Sequence, residues 1–509
     1  MQIEVFRHKF EISDNNLKVI IFSAIHFLLS IINDIFTFGV QSNYFIIKIL
    51  FFVVLLIFWK KALIFLKAIC SKDQKALKFV YNLIPILSFN LLVLIFTWPG
   101  NWIWDDISVY NFSLSLDINY WQHFFTSLFY FFSIMIIPVP IGAASIILVQ
   151  LIIISIISAY VLTIVQENFN TKYLQYILYI PFVLPATIYL NTHPLRLTLY
   201  GYLDLLFIVM LIDSYRNMKI TKERLAILSF AAIILSVWRT EGIYYAILSP
   251  LLFIVLFNKT ASSKYKKIFS ATVISVTCIC NIVQNAHLQS DYSVTAFLYP
   301  IVPLTERAYS ENNMEFLDKV DKIYNVEILL EGAENGLNGE YLYWNEPLVR
   351  EFEQEDYSEF KMAYIKTCIK YFDTFIIERT KTFLSSNSSR IGFCVEEEKA
   401  VEFFKNNKPL FTDLRTELLF GLSEKNKAIE IFWQPWVPIL LMFIIAVSLL
   451  FIKKFAYSSI LFLSGIKVLL VFITAPGVYF MYYFPTYLCG YFCVAFVLFY
   501  LILKIKSKF

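Results

Sequence analysis

Two adjacent carboxylates, Asp105 and Asp106, stand among three tryptophans, Trp98, Trp102 and Trp104, with Tyr110 close behind. A carboxylate beside apolar rings is partly desolvated, which favours its protonated form and makes it a stronger base. Tryptophan prefers the membrane–water interface, so a base framed in this way could meet a lipid-borne substrate whose reactive head lies at that level. The plainer reading is a solvated helix cap following the break at Pro99 and Gly100. A second cluster places Arg239 two residues before Glu241. Arginine offers a fork of donors suited to phosphate oxygens, although a snorkelling Arg239 paired with Glu241 also explains the pattern. A third runs from Asn191 to Arg196 and contains His193. His123 stands alone, and an interfacial packing histidine is its commoner role. Tyr482 belongs to an aromatic stretch between Pro476 and Pro485 that suits a sugar, a lipid head or an interfacial belt. Arg307, Arg379 and Lys381 are further cations in a polar region, where a solvated face is the default reading.

Something must hold these groups in place, and the composition says what. Of 509 residues, 58% are hydrophobic and 16% charged, too little polar surface for a soluble protein. Apolar runs of about 20 residues recur from Leu17 onward, enough to cross a hydrocarbon core of about 30 Å. The net charge of +4 is small and dispersed, which argues against nucleic-acid binding. Met1 to Asn16 carries mixed charges with no small-residue cleavage site beyond it, so no cleavable signal is expected. The cysteines form no C-x-x-C pair. Cys278 and Cys280 read as apolar packing, while Cys368 and Cys394 could pair if their segment is extracytoplasmic. Asn-x-Ser/Thr triplets at Asn111, Asn258 and Asn387 read as chance matches.

Candidate spans run near 17–38, 44–66, 78–97, 141–165, 173–190, 197–213, 224–238, 242–257, 265–283, 433–453, 455–474 and 478–503. Lysine and arginine orient them. Lys60 to Lys78, Arg216 to Arg224, Lys259 to Lys267, Lys453 with Lys454, and Lys504 to Lys508 mark cytoplasmic segments, whereas residues 98–119 hold neither Lys nor Arg and read as external. Between 98–119 and the cytoplasmic 213–224 loop the chain must cross an odd number of times, yet four apolar stretches lie there. The 120–138 stretch, opening with Trp121 and His123 and closing on Pro138 and Pro140, is therefore read as an interfacial or half-inserted helix. The Pro181 and Pro185 segment is the alternative broken helix.

The expected fold is an all-α polytopic membrane protein of about 12 transmembrane helices with both termini inside. It divides into an N-terminal transmembrane module (1–283) carrying the external 98–119 loop, a mainly helical extracytoplasmic domain (284–432) and closing helices (433–509). Helical spacing is clearest from Tyr357 to Leu384. Asp34 and Asp204 are the main intramembrane charges, and Asp204 reads as facing a cavity near the external end of its helix. No P-loop, Rossmann fingerprint, zinc-protease motif or nucleophile elbow is present.

This arrangement resembles the C-type (GT-C) membrane glycosyltransferases, of the kind that acts on bacterial surface polysaccharides. The resemblance rests on an early apolar helix leading into Trp104-Asp105-Asp106 with Tyr110, on Trp121-Gln122-His123, and on the aromatic 476–485 stretch. Phe124 stands where family members often carry proline. The resemblance implies a polyprenyl-phosphate-linked sugar as donor, a glycan acceptor, a multi-pass protein of the cell membrane and an active site on its extracytoplasmic face. It implies that Asp105, with Asp106 as fallback, deprotonates an acceptor hydroxyl that attacks the anomeric carbon with inversion. Arg239, Arg196 and Arg307 would steady the leaving phosphate, and Tyr110, His123, His193, Glu241 and Tyr482 would contact substrate. No cofactor or metal is implied; two carboxylates alone do not make a convincing metal site, although oligosaccharyl-transferring members of the family use one. The alternatives are an oligosaccharide-repeat polymerase or ligase, and a lipid-linked-sugar flippase or transporter.

Overall fold

A computed structural model describes residues 14–38, 41–167, 174–287, 292–389 and 398–506. Among them the chain is built of helices and loops, with only isolated β-bridges, Tyr324 to Val349 and Ser388 to Tyr479. Runs rich in Ile and Val, such as Ala144–Glu167, would favour strands in water. Where water is excluded, a helix satisfies every backbone group within the segment, and that preference prevails. Eight described helices are long and apolar enough to cross a membrane, nine if one bent pair counts as a single span. That pair is Leu174–Phe182, a 3₁₀ helix, and Pro185–Asn191, bent by 56°. Four expected apolar stretches form shorter helices. Phe124–Ile136 and Tyr244–Leu256 have 13 residues each, and Lys222–Val237 and Trp436–Phe451 have 16. At the helical rise these reach roughly 20–24 Å, short of the hydrocarbon core.

The chain divides into two compact units: residues 1–171, 191–196 and 392–419 form one, and residues 172–190, 197–391 and 420–509 the other. The polar 284–432 segment is therefore shared between them. Cys394 lies outside the described residues.

Within the first unit, Gln74–Thr97 packs along Ala144–Glu167. Asn82 donates to Thr163 Oγ1 (3.0 Å) and Gln166 Oε1 (2.9 Å), and Asn90 to Ser155 Oγ (3.0 Å). Partners rise by eight residues on one helix as they fall by eight on the other, so the helices run antiparallel, each presenting one polar line. Amide and hydroxyl rungs of this kind join helices where no hydrophobic difference drives them together. Asp34, conspicuous as an acid in an apolar helix, has local partners. It pairs with Lys48 of the next helix and accepts from Tyr44 (2.8 Å), while Lys48 also donates to Ser30 (2.6 Å).

Within the second unit, residues 292–384 form a helical lobe around Leu298, Ile301, Leu304, Val320, Leu329 and Phe360. Asn325 and Asn338 start two of its helices by accepting from backbone N–H groups of the first turn. Sequence pattern places Arg379 on a solvated face. The structure buries it completely, at 0% exposure. Its guanidinium donates to Phe472 O, Ala475 O (3.0 Å) and Val471 O (3.3 Å). They lie at the end of the Phe455–Thr474 helix, where Val471 O also accepts from Ala475 N (2.7 Å) and the last carbonyls run out of helical donors. The fork of arginine closes the helix end, a favourable place for a cation. Lys381, two residues on, remains exposed.

Arg379→Met should leave Phe472 O and Ala475 O without the guanidinium donor and lower stability by roughly 2–6 kcal/mol, from about 1–3 kcal/mol for each of the two groups. Lys381→Ala should leave the melting temperature of the detergent-solubilised protein unchanged. Equal melting of the two variants would contradict the capping role.

Candidate functional site

The acid pair lies in the first turn of the helix Trp104–Leu114, in the first unit. Ile103 at its N-cap offers no side-chain acceptor, and carboxylates in a first turn suit the positive end of a helix. The two acids have different surroundings. Asp106 is buried, 1% exposed, and its Oδ2 lies 3.1 Å from Nδ1 of His193, itself buried. Asp105 is half-buried.

His193 reaches Asp106 because its loop is held from several sides. Pro194 restricts the residue before it to extended backbone. Gln150 Nε2 donates to Asn191 O (2.9 Å) and His193 O (2.6 Å). Asn101 N donates to Thr192 O (2.8 Å), and the Tyr130 hydroxyl to Pro194 O (3.1 Å). Four successive carbonyls are thus engaged. Gly100 lets the two loops meet: its φ is +107°, and a Cβ there would lie 2.9 Å from Thr192 O and 2.7 Å from Ile147 Cγ1. Arg415 then donates to Gly100 O at 3.0 Å through Nη2. Arg415 so contributes to the acid-bearing loop from far along the chain, a link no spacing in the sequence signals.

Arg196 is half-buried, and its charge acts on His123 and Tyr130; Asp106 acts on Tyr130 as well. His123 caps the helix Phe124–Ile136, accepting from Phe125 N through Nδ1 (3.4 Å), and its ring stacks on Phe125. Burial, and secondarily Arg196, push its imidazole down to about 4, so it is neutral at physiological pH. Tyr110 packs against Trp102 and Phe403, and its hydroxyl bonds Asn407, whose Oδ1 accepts from Ala143 N (2.9 Å).

No family model, curated protein or solved structure matches this chain. Its chemistry is therefore read from its own geometry.

In the second unit, Arg239 Nε lies 2.9 Å from Glu241 Oε1, and Lys467 Nζ lies 3.3 Å from the same oxygen. Lys467 also sits 4.1 Å from the Tyr200 ring centroid, and the Arg239 guanidinium 5.6 Å from that of Tyr482. The turn between Arg239 and Glu241 is tight, because a Cβ on Gly242 would come within 2.0 Å of Leu235 O. Arg239, with its side chain 15% exposed, is the most accessible of the three charges. Asp204 is buried and accepts from Tyr245, Ser464 (2.6 Å) and Cys489 (3.6 Å). Sequence reading passed over Lys467, although one lysine inside the apolar run Phe455–Thr474 was a visible signal.

The candidates thus gather in two groups: Asp105, Asp106, His123, His193 and Arg196 in the first unit, and Arg239, Glu241 and Tyr482 in the second. Arg307 belongs to neither. Its guanidinium donates to Asp373 (2.6 Å) and Thr374 (2.8 Å) on the exposed lobe, sharing no partner with Arg239. Among the described residues no three His, Cys, Asp or Glu side chains converge as metal ligands.

The neutral His123 gives a pH signature. A histidine that resists protonation only when folded contributes its full stability above the ordinary value near ~6.5 and loses it as pH falls toward about 4. His123→Asn keeps a capping acceptor without the titration. Its melting temperature should therefore fall less than that of the parent between pH 7 and pH 5. Parallel curves would remove His123 from this linkage.

Proposed function

We propose that this chain is a C-type membrane glycosyltransferase, moving a sugar from a polyprenyl-phosphate carrier to a cell-surface glycan. One observation carries the reading: the acid pair at the start of Trp104–Leu114 splits into a buried Asp106 held by His193 and a half-exposed Asp105. A general base needs a fixed position and access to its substrate. Asp105 takes its position from the helix and the clamped loop, and its access from partial exposure.

In this mechanism Asp105 accepts the proton of an acceptor hydroxyl. The oxygen attacks the anomeric carbon with inversion, and the bond to the lipid phosphate breaks. Asp106 and His193 keep the helix end in register. In the same unit, the half-buried Arg196 would steady the negative charge developing on the phosphate. Arg239 and Arg307 of the second unit, paired with Glu241 and with Asp373 and Glu311, remain candidates for a phosphate oxygen in their own unit. The chain then crosses the membrane about 12 times, several of its helices being short or bent, with the acid pair on the extracytoplasmic face.

Asp105→Asn and Asp106→Asn, each expressed at the parental level, can be assayed for transfer from a polyprenyl-phosphate sugar. Loss of the base should cost about 10²–10⁴-fold in turnover for Asp105→Asn. Full activity in both variants would sink the assignment.

A second reading, a lipid-linked-sugar flippase, is favoured by the buried Asp204 and Lys467, since ionisable groups inside apolar helices often mark transport paths. Counterflow of a lipid-linked sugar in proteoliposomes separates the two. The transferase reading expects no counterflow in the parent protein. Robust exchange that Lys467→Met abolishes, without any sugar transfer, would favour the flippase.

A further inference from the structure

The helix Gln354–Lys370 is apolar on two opposite faces. Tyr357, Phe360 and Tyr364 point into the core of the lobe. Met362, Ile365 and Ile369 advance by three and then four residues, forming one stripe on the other side, and Phe372 continues it at the next helix. These four are 57%, 53%, 73% and 60% exposed. A stripe so regular, left uncovered in a lobe that has already buried its own core, calls for a partner.

Three features indicate which. First, lysines flank the stripe: Lys361 on one side, Lys366 and Lys370 on the other, all exposed. Long cationic side chains beside an apolar stripe are the pattern of a helix lying in the headgroup layer, the stems along the apolar surface and the ammonium groups among phosphates. Second, the acids beside the Phe372 end of the stripe already have cations, while Glu355 is exposed at its other end. Asp373 and Glu311 pair with Arg307, Lys370 lies 3.8 Å from Glu311, and Glu378 has Lys381 at 3.6 Å. Third, the next helix, Phe372–Leu384, is tied to a membrane-length helix. Its Arg379 closes the carbonyl end of Phe455–Thr474, which sets that helix at the height where the apolar segment ends. Ile377 and Leu384 on the same helix are also exposed. A glycan would call for aromatic platforms and hydrogen-bonding groups, whereas this stripe is aliphatic apart from Phe372.

We infer that the Met362–Ile365–Ile369–Phe372 stripe docks the lobe onto the phospholipid headgroup layer of the membrane that Phe455–Thr474 crosses. The docking rests on the membrane-crossing reading of that helix and is independent of the transferase reading. It holds the lobe flat on the bilayer, with Lys366 toward lipid phosphates.

The test uses the full chain in phospholipid nanodiscs, with a nitroxide on a single introduced cysteine in a background without other reactive cysteines. Collisions with oxygen, which concentrates in lipid, are compared with collisions with a water-soluble nickel chelate. Three sites are read: Ile369→Cys on the stripe, Leu469→Cys on the exposed face of Phe455–Thr474, and Asn335→Cys on the polar surface of the lobe. Ile369 should resemble Leu469, with oxygen dominant by several-fold, while Asn335 is dominated by the chelate. An Ile369 label that behaves like Asn335 while Leu469 stays in lipid overturns the docking alone. A Leu469 label in water overturns the crossing reading and the docking with it. Dipolar coupling between Ile369 labels of two chains would give the stripe to a second copy and likewise overturn the proposal.

Discussion

A carbonyl without a donor is costly wherever water is excluded, and every break in an apolar helix creates such carbonyls. Much of this structure follows from that one constraint. At the end of Phe124–Ile136, Asn33 serves Ile134 O and Ile137 O, and His26 serves Ile136 O. At the end of Lys222–Val237, the Tyr200 hydroxyl takes Leu235 O. Arg379 closes Phe455–Thr474, and Gln150, Tyr130 and Arg415 serve the loops around the acid pair. The polar side chains of these apolar elements are directed largely to main-chain oxygen. A loop whose carbonyls are each engaged is also a rigid loop, so the same constraint fixes the site.

This explains what the sequence could and could not convey. The all-α class and most of the long apolar helices were legible, because length and hydropathy are properties of a contiguous run. Arg379 was not. It lies in an amphipathic pattern among Lys381 and Glu378, and its burial depends on carbonyls more than 90 residues away. Arg415 shares that position: nothing around it points to Gly100. The acid pair was visible as a pair, but its division into a buried and a half-buried member goes with the approach of His193, which spacing alone could not bring to Asp106. Lys467 was missed although its signal was there, since a lone lysine in an apolar run needs a partner, and Glu241 is that partner.

The charges clustered around Glu241 have partners among themselves. Arg239 and Lys467 share Glu241, and Asp204 takes three donors. Balanced pairs of this kind keep helices in register, and they also keep a charge available at the edge of the cluster. Arg239 stands at that edge. An anion approaching it would compete with Glu241 for the guanidinium, while Lys467, held between Glu241 and the Tyr200 ring, would keep Glu241 from being left alone. The cluster can therefore accept an anion without leaving a buried carboxylate unpaired, which would otherwise carry a large penalty.

Asp105 and Asp106 are chemically identical neighbours, and helix geometry is what separates them. Successive residues on a helix point about 100° apart, so when one faces the packed interior the next turns toward its margin. The inward acid meets His193 and loses contact with water. The outward acid keeps partial access while its backbone is held by the same turn. Two like carboxylates in one environment would compete for the same proton, but two in different environments can divide the work, one positioning and one reacting. A shift of the Trp104 turn by one residue would exchange their surroundings, so on the proposed reading Gly100, Asn101 and Arg415, which hold the loop before that turn, would bear on the chemistry together with the acids.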